Sequence, residues 1–229
     1  MDINEPNQNI LQATALNPEP LKNSNGMTIK TMIVGILFLF AIVALGIFVY
    51  VYKTKTGETN KAREAQAIIG MHVRRVNLDL DEIQSMDLNE IIDHKVRQAY
   101  AKLKKPVLVD DVSLNLKAWN GFPGPFSRFL GEAVGWNNLP KLLKGQKRTA
   151  KWICMLGYFD GKKVRTFIGG ETGTIATAPR GKDGWGFDLV FIPARQRKTA
   201  AELGATFKKT KSARAQALNK VKRYLTTVN

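Results

Sequence analysis

Three hydrophobic patterns succeed one another along this chain: an unbroken apolar run, segments repeating every 3.6 residues, and short runs bounded by turns. The unbroken run is residues 31–52, TMIVGILFLFAIVALGIFVYVY, without a charged side chain. A helix of about 20 apolar residues crosses a hydrocarbon core, so this run predicts a transmembrane helix over 30–50. Its far end reads two ways. Val49-Tyr50-Val51-Tyr52-Lys53-Thr54-Lys55 alternates and is β-branched and aromatic, so 49–55 fits either a helix end or a first strand.

Beyond it the period becomes helical. NKAREAQAIIG (60–70) predicts a helix with Asn60 as N-cap and Ala65, Ile68 and Ile69 on one face. DLNEIIDHKVRQAYAKL (87–103) predicts a second, with Ile91, Ile92, Val96, Ala99, Tyr100 and Leu103 inward and Asp93 and Arg97 in water. HVRRVNL (72–78) between them predicts a short strand. PVLVDD (106–111) predicts a buried strand that SLNLKAW extends. Short helices are predicted around 125–143. Strands over 149–159 and 163–169 flank Asp160-Gly161, a hairpin signal. A glycine-rich stretch follows, and SARAQALNKVKRYL (212–225) predicts a closing basic helix. Helices and strands alternate first and a hairpin comes later, which predicts an α/β fold with a mixed sheet.

Charge extends this picture. Lys53, Lys55, Lys61, Arg63, Arg74 and Arg75 follow the apolar run, against Lys22 and Lys30 before it. The positive-inside rule then places the C-terminal part in the cytoplasm. The expected organisation is a disordered polar tail (1–29), a transmembrane helix (30–50) and a cytoplasmic domain (51–229). The net charge of +16, from 35 Lys and Arg against 19 Asp and Glu, points to anionic partners. Cys154 is the one cysteine, so no intramolecular disulfide forms, and two histidines without a Cys/His cluster argue against a zinc site.

Candidate chemistry lies in five blocks. Thr56-Gly57-Glu58-Thr59-Asn60-Lys61 runs from a glycine turn into a helix start, where backbone N–H groups meet phosphate and Lys61 adds charge. DLDEIQS (79–85) places Glu82 in a polar loop. Asp110 and Asp111 close a buried strand, which suits either a solvated strand end or carboxylates held in place to grip something cationic. The stiff turn NGFPGPF (120–126) then positions Arg128. Phe167, Gly169, Gly173, Ile175, Pro179, Arg180 and Gly181 lead into GWGFDLVF (184–191), whose aromatics can stack on a base. The last block is Lys208, Ser212, Ala213 and Arg214. Singly, each block also reads as a capped helix, a loop acid or core aromatics.

In this order, over about residues 50–225, the blocks resemble those of the inosine triphosphate pyrophosphatase family. The resemblance implies a mixed central sheet flanked by helices, with a cleft between two lobes, here preceded by one transmembrane helix. It implies Mg²⁺-dependent hydrolysis of deaminated purine nucleoside triphosphates (ITP, dITP, XTP) to monophosphate and pyrophosphate, in a homodimer. Glu82 and Asp111 would hold the metal and Asp111 would serve as proton acceptor. Thr56, Gly57, Glu58, Asn60, Lys61, Val112, Arg128, Trp185, Gly186, Phe187, Asp188, Lys208, Ala213 and Arg214 would form the substrate site. Departures from the family's pattern are Glu58 for Asn, Val112 for Ser or Thr, and Ala213 for His; Trp185 and Phe187 exchange places, and Leu189 stands for Pro. Two other classes fit the charge: a membrane-tethered nucleotide binder without turnover, and a basic domain that docks on nucleic acid or anionic lipid through 195–223.

Overall fold

The computed structural model describes residues 48–52 and 58–228, with side chains from 61 to 227. A seven-stranded mixed sheet forms its middle, in the order β2-β1-β3-β5-β6-β7, with β4 beside β3. Strands β1 (Phe48–Tyr52), β2 (Val73–Asn77) and β3 (Val107–Leu116) are parallel. Strands β4 (Pro123–Gly124), β5 (Thr149–Phe159), β6 (Val164–Ile175) and β7 (Phe191–Pro193) add antiparallel pairs. Helices α1 (Glu58–Ile69) and α2 (Leu88–Leu103) are the parallel crossovers; α3 (Ser127–Val134), α4 (Leu139–Leu142), α5 (Ala200–Thr210) and α6 (Ala213–Val228) follow.

Strand alternation sorts the core into two layers. Leu108, Leu114 and Leu116 of β3, with Trp152, Cys154 and Leu156 of β5, pack against Ala65 and Ile69 of α1 and Ala217, Leu218, Val221 and Leu225 of α6. Val107 and Val109, with Met155, pack on the other face against Leu88, Ile92, Val96 and Ala99 of α2. The expected inward face of α2 is the observed one, save that Tyr100 and Leu103 are only partly buried. Asp87 caps α2 by accepting from the Asn89 N–H, and Lys104 ends it in a left-handed conformation.

β6 runs to Ile175, beyond the expected end at 169, because its glycines are places of close backbone approach. A Cβ at Gly169 would stand 1.9 Å from the Ala213 carbonyl oxygen, and one at Gly173 would stand 2.2 Å from that of Ile192. The first pins α6 onto the sheet and the second admits β7. Helix α5 and strand β7 were not among the expected elements.

The membrane expectation is corrected here. Among the described residues no helix is long and apolar enough to cross a membrane. Phe48–Tyr52 are a strand, hydrogen-bonded to β2 along its length and to β3 at Val49 and Tyr50. Backbone groups committed to two neighbours in a sheet cannot also finish a transmembrane helix, so a span over 30–50 does not hold at its C-terminal end. The single-pass membrane localisation with a cytoplasmic catalytic domain, which rested on that span, falls with it. Residues 1–47 lie outside the described residues, as do 53–57.

Candidate active site

β3 has β1 beside it at Val107 and Leu108 and β4 beside it at Leu114 and Asn115. Between them, among the described residues, Val109–Ser113 pair on the β5 side alone. A cleft of about 530 Å³ opens along this stretch, beyond the carboxyl ends of the parallel strands, where sheets of this kind bind ligands.

Asp110 and Asp111 leave β3 on opposite faces, and their neighbours differ accordingly. Asp110 is buried and accepts from Arg214 Nη2 at 3.0 Å and Nε at 3.3 Å, with Lys61 Nζ at 3.6 Å. Burial alone would raise its pKa, but Lys61 and Arg214 outweigh that and hold it at about 2. Asp110 is therefore a fixed negative charge that anchors two cations in the cleft wall. Glu64 of α1 also accepts from Arg214, at 3.5 Å, yet burial keeps its pKa raised against the pull of Arg214 and Lys208.

Asp111 faces α2. Lys95 Nζ donates to Asp111 Oδ2 at 2.6 Å and lies 3.7 Å from Glu82 Oε1. Arg128 Nη2, from the first turn of α3, donates to Glu82 Oε2 at 3.1 Å. The loop bearing Glu82 is pinned to α2: Leu80 is buried in the core, the Asp81 N–H donates to Gln98 Oε1 at 3.1 Å, and Lys102 donates to the Asp79 carbonyl. Two carboxylates from separate segments thus meet on one cationic centre. Burial would lower the Lys95 pKa; Asp111 and Glu82 overcome it and raise the value above the ordinary one. Oxygen donors of this kind fit a hard divalent cation whose remaining positions are filled by phosphate and water.

The opposite end of the cleft is aromatic. Asp188 is buried and accepts from Lys208 and from the Trp185 N–H, the latter at 2.8 Å. Lys208 Nζ lies 3.3 Å from the Trp185 ring centroid and the Arg214 guanidinium 5.9 Å from it. Phe187 sits edge-on to Trp136 at 5.5 Å and Trp152 at 5.4 Å, so it belongs to an aromatic cluster that is also core.

Of the expected site residues, Lys61, Glu82, Asp111, Val112, Arg128, Trp185, Gly186, Phe187, Asp188, Lys208 and Arg214 line this single cleft. Ala213 does not: it is fully buried under β6. Thr56 and Gly57 lie outside the described residues. Glu58 and Asn60 stand in the first turn of α1, which begins at Glu58, so Asn60 is not its N-cap; their side chains are outside the described set. Lys95, Glu64, Trp136 and Trp152 were not expected in the site. Lys95 had a signal: it follows Ile91 by four positions and precedes Val96, so an ammonium borders an apolar stripe and requires a buried counter-charge. Glu64 stands three residues after Lys61, one helical turn further along α1.

The model of the Ham1 family matches residues 54–224. A dITP/XTP pyrophosphatase of Methanopyrus kandleri is 41% identical over 170 residues, covering 72% of this chain and 90% of the relative. Inosine triphosphate pyrophosphatase 1 of Trypanosoma cruzi is 41% identical over 168 residues, covering 71% and 86%. Among solved structures, the Ham1 protein of Staphylococcus aureus superposes with a TM-score of 0.67 at 26% identity, over 80% of this chain and all of that one. A HAM1 protein from Coxiella burnetii gives 0.68 at 26% identity, over 79% and 99%. With a family model across most of its length and relatives above 40% identity, the chain belongs to the Ham1 family.

Proposed function

We propose that this protein hydrolyses deaminated purine nucleoside triphosphates, ITP, dITP and XTP, to the monophosphate and pyrophosphate. The observation that carries the reading is the convergence of Glu82 and Asp111, from different segments, on one cationic centre in a cleft that also holds Lys61, Arg128, Lys208 and Arg214. Two relatives that match over most of their length bear the names dITP/XTP pyrophosphatase and inosine triphosphate pyrophosphatase, which supports the same substrate class.

Glu82 and Asp111 would hold a divalent cation, Mg²⁺ in this proposal, and when bound it supplies positive charge to the phosphate oxygens. Asp111 orients a water and accepts its proton as the water oxygen bonds to the α-phosphorus. The bond from the α-phosphorus to the bridging α–β oxygen breaks, and pyrophosphate leaves with that oxygen. Lys95 and Arg128 flank the two carboxylates and place fixed positive charge where the leaving group gains negative charge. Lys61 lies between the two ends, tied to Asp110. Lys208 and Arg214 cluster with Trp185 instead, so their part is to build the aromatic end: Lys208 covers one face of the indole, and the base takes the other. Asp188 locks Lys208 and the Trp185 backbone together and thereby fixes that ring. A homodimer belongs to the same proposal, and sedimentation equilibrium checks it.

Incubating the purified protein with ITP, dITP, XTP, ATP and GTP in Mg²⁺ tests the function. Pyrophosphate and monophosphate should form fastest from the first three. Binding of these nucleotides without pyrophosphate release contradicts the proposal and favours a sensor. Release of orthophosphate contradicts attack at the α-phosphorus.

A further inference from the structure

Charge is unevenly shared between the two faces of the sheet. Residues 79–102, the Glu82 loop and α2, hold six acids against three bases. On the opposite face α6 has no acid along its length, and Glu64, the one acid of α1 whose side chain is described, is turned inward to Arg214. The outer surface of this layer is basic. Arg63 of α1 and Lys220, Lys222 and Arg223 of α6 are exposed. Their neighbours draw them into one patch: Lys220 Nζ reaches β6 and donates to the Ile168 carbonyl at 2.6 Å, and Lys222 reaches the end of α1 beside Gly70. Arg165 of β6 joins them, lying over the Tyr224 ring at 4.7 Å from its centroid. Among the described residues none of these five cations forms a salt bridge. Asp160 and Glu171, the acids beside β6 nearest to them in sequence, accept from backbone N–H groups.

Cations gathered on one face without counter-charges are the footprint of a polyanion. The side chains around them decide its class. None of the exposed large apolar residues belongs to α1 or α6, and Ile168 leaves β6 on the face opposite Phe167, which packs in the α6 layer. A helix that lies on a membrane needs apolar side chains to enter the lipid as well as bases. A single-strand site needs open rings for its bases, and the ring at this patch, Tyr224, is half-buried beneath Arg165. Charge is therefore the whole of the recognition here, and it complements a dense, regular array of phosphates. We propose that the α6 face docks, without sequence preference, on the phosphodiester backbone of a nucleic-acid duplex. The patch stands apart from the cleft: Lys222 follows Arg214 by eight residues, about 12 Å along the helix. The inference does not rest on the hydrolase reading, and it leaves the hydrolytic groups untouched.

Fluorescence anisotropy tests it, with the full chain titrated into labelled mixed-sequence DNA and RNA duplexes of about 20 base pairs at about 0.05–0.2 M salt. Binding to either polymer should weaken with salt, log K falling against log salt with a slope of about −4, near −0.9 for each of the five cations. The double substitution Lys222→Gln/Arg223→Gln should make that slope shallower by about 2 and weaken binding at least about tenfold at the lowest salt. Lys141→Gln/Lys144→Gln removes the same charge from the exposed surface at α4 and should change affinity less than about twofold. Equal losses in the two variants overturn the inference, because net charge alone then explains the binding. So does a wild type that binds neither duplex at the lowest salt. Vesicles containing about 30% phosphatidylserine form the remaining arm, and tighter binding to them than to the duplexes also overturns it. Should the first double variant melt below the wild type, Lys222→Gln and Arg223→Gln taken singly carry the test, each with a slope loss of about 1.

Discussion

Asp110 and Asp111 are chemically identical neighbours with opposite duties, and one bond of strand alternation separates them. Asp110 turns into the layer of α1 and α6 and neutralises Arg214; Asp111 turns towards α2 and meets Lys95 and Glu82. Replacing Asp110 by Asn leaves Arg214 buried without its main counter-charge, which should cost about 3–5 kcal/mol of stability in urea unfolding at neutral pH. The pH dependence has a definite sign. The folded-state pKa of Asp110, about 2, lies below its ordinary value of 3.8, so its stabilisation is complete above about pH 4 and disappears as pH falls through about 2. The stability gap between wild type and Asp110→Asn should shrink across that window; a constant gap would show that the pair is not what Asn disrupts. The adjacency of the two carboxylates was legible in the sequence. Which one faced which partner was not, because a strand's phase relative to its flanking helices is fixed by tertiary packing.

At the scale of elements, period and turn chemistry carried most of the fold. Helix 87–103 and strand 149–159 were expected within a residue of their observed bounds, because each has a clean apolar pattern and a strong stop: Asp87 and Lys104 for the helix, Asp160-Gly161 for the strand. Where glycine interrupts a strand, the pattern misleads. Gly170 and Gly173 lie past the expected strand end at 169, yet they continue β6; Gly169 lets α6 approach and Gly173 lets β7 approach. Helix α5 has no long apolar period to announce it, although Thr199-Ala200-Ala201-Glu202 is a capping box with both reciprocal bonds formed. The packing of α6 gives a direct test. Gly169→Ala forces a methyl group against the Ala213 carbonyl and must shift the helix that carries Arg214. The expected loss is at least about 1–3 kcal/mol, read as a lower melting temperature together with reduced activity. An unchanged melting temperature would mean that α6 is not held by this contact.

For the whole molecule, the charge excess and the apolar N-terminal run invited different conclusions, and they fared differently. A run of apolar residues cannot by itself distinguish the last turns of a membrane helix from a central strand. Phe48–Tyr52 are resolved only by their pairing with β2 and β3, which is non-local. The net charge of +16 fits polyanionic substrates drawn towards a cleft rimmed by lysine and arginine. Raising salt from about 0.05 to 0.5 M shortens the screening length severalfold, so KM for the triphosphate should rise several-fold while kcat changes less. A KM indifferent to salt would remove long-range attraction from the account. The central claim remains that Glu82 and Asp111 form one hydrolytic centre, and Asp111→Asn addresses it most directly. Pyrophosphate release from ITP, measured beside a wild-type control of equal melting temperature, should fall by about 10²–10⁴-fold, the loss typical of a missing general base. A variant that retains most of the wild-type rate would contradict the assignment.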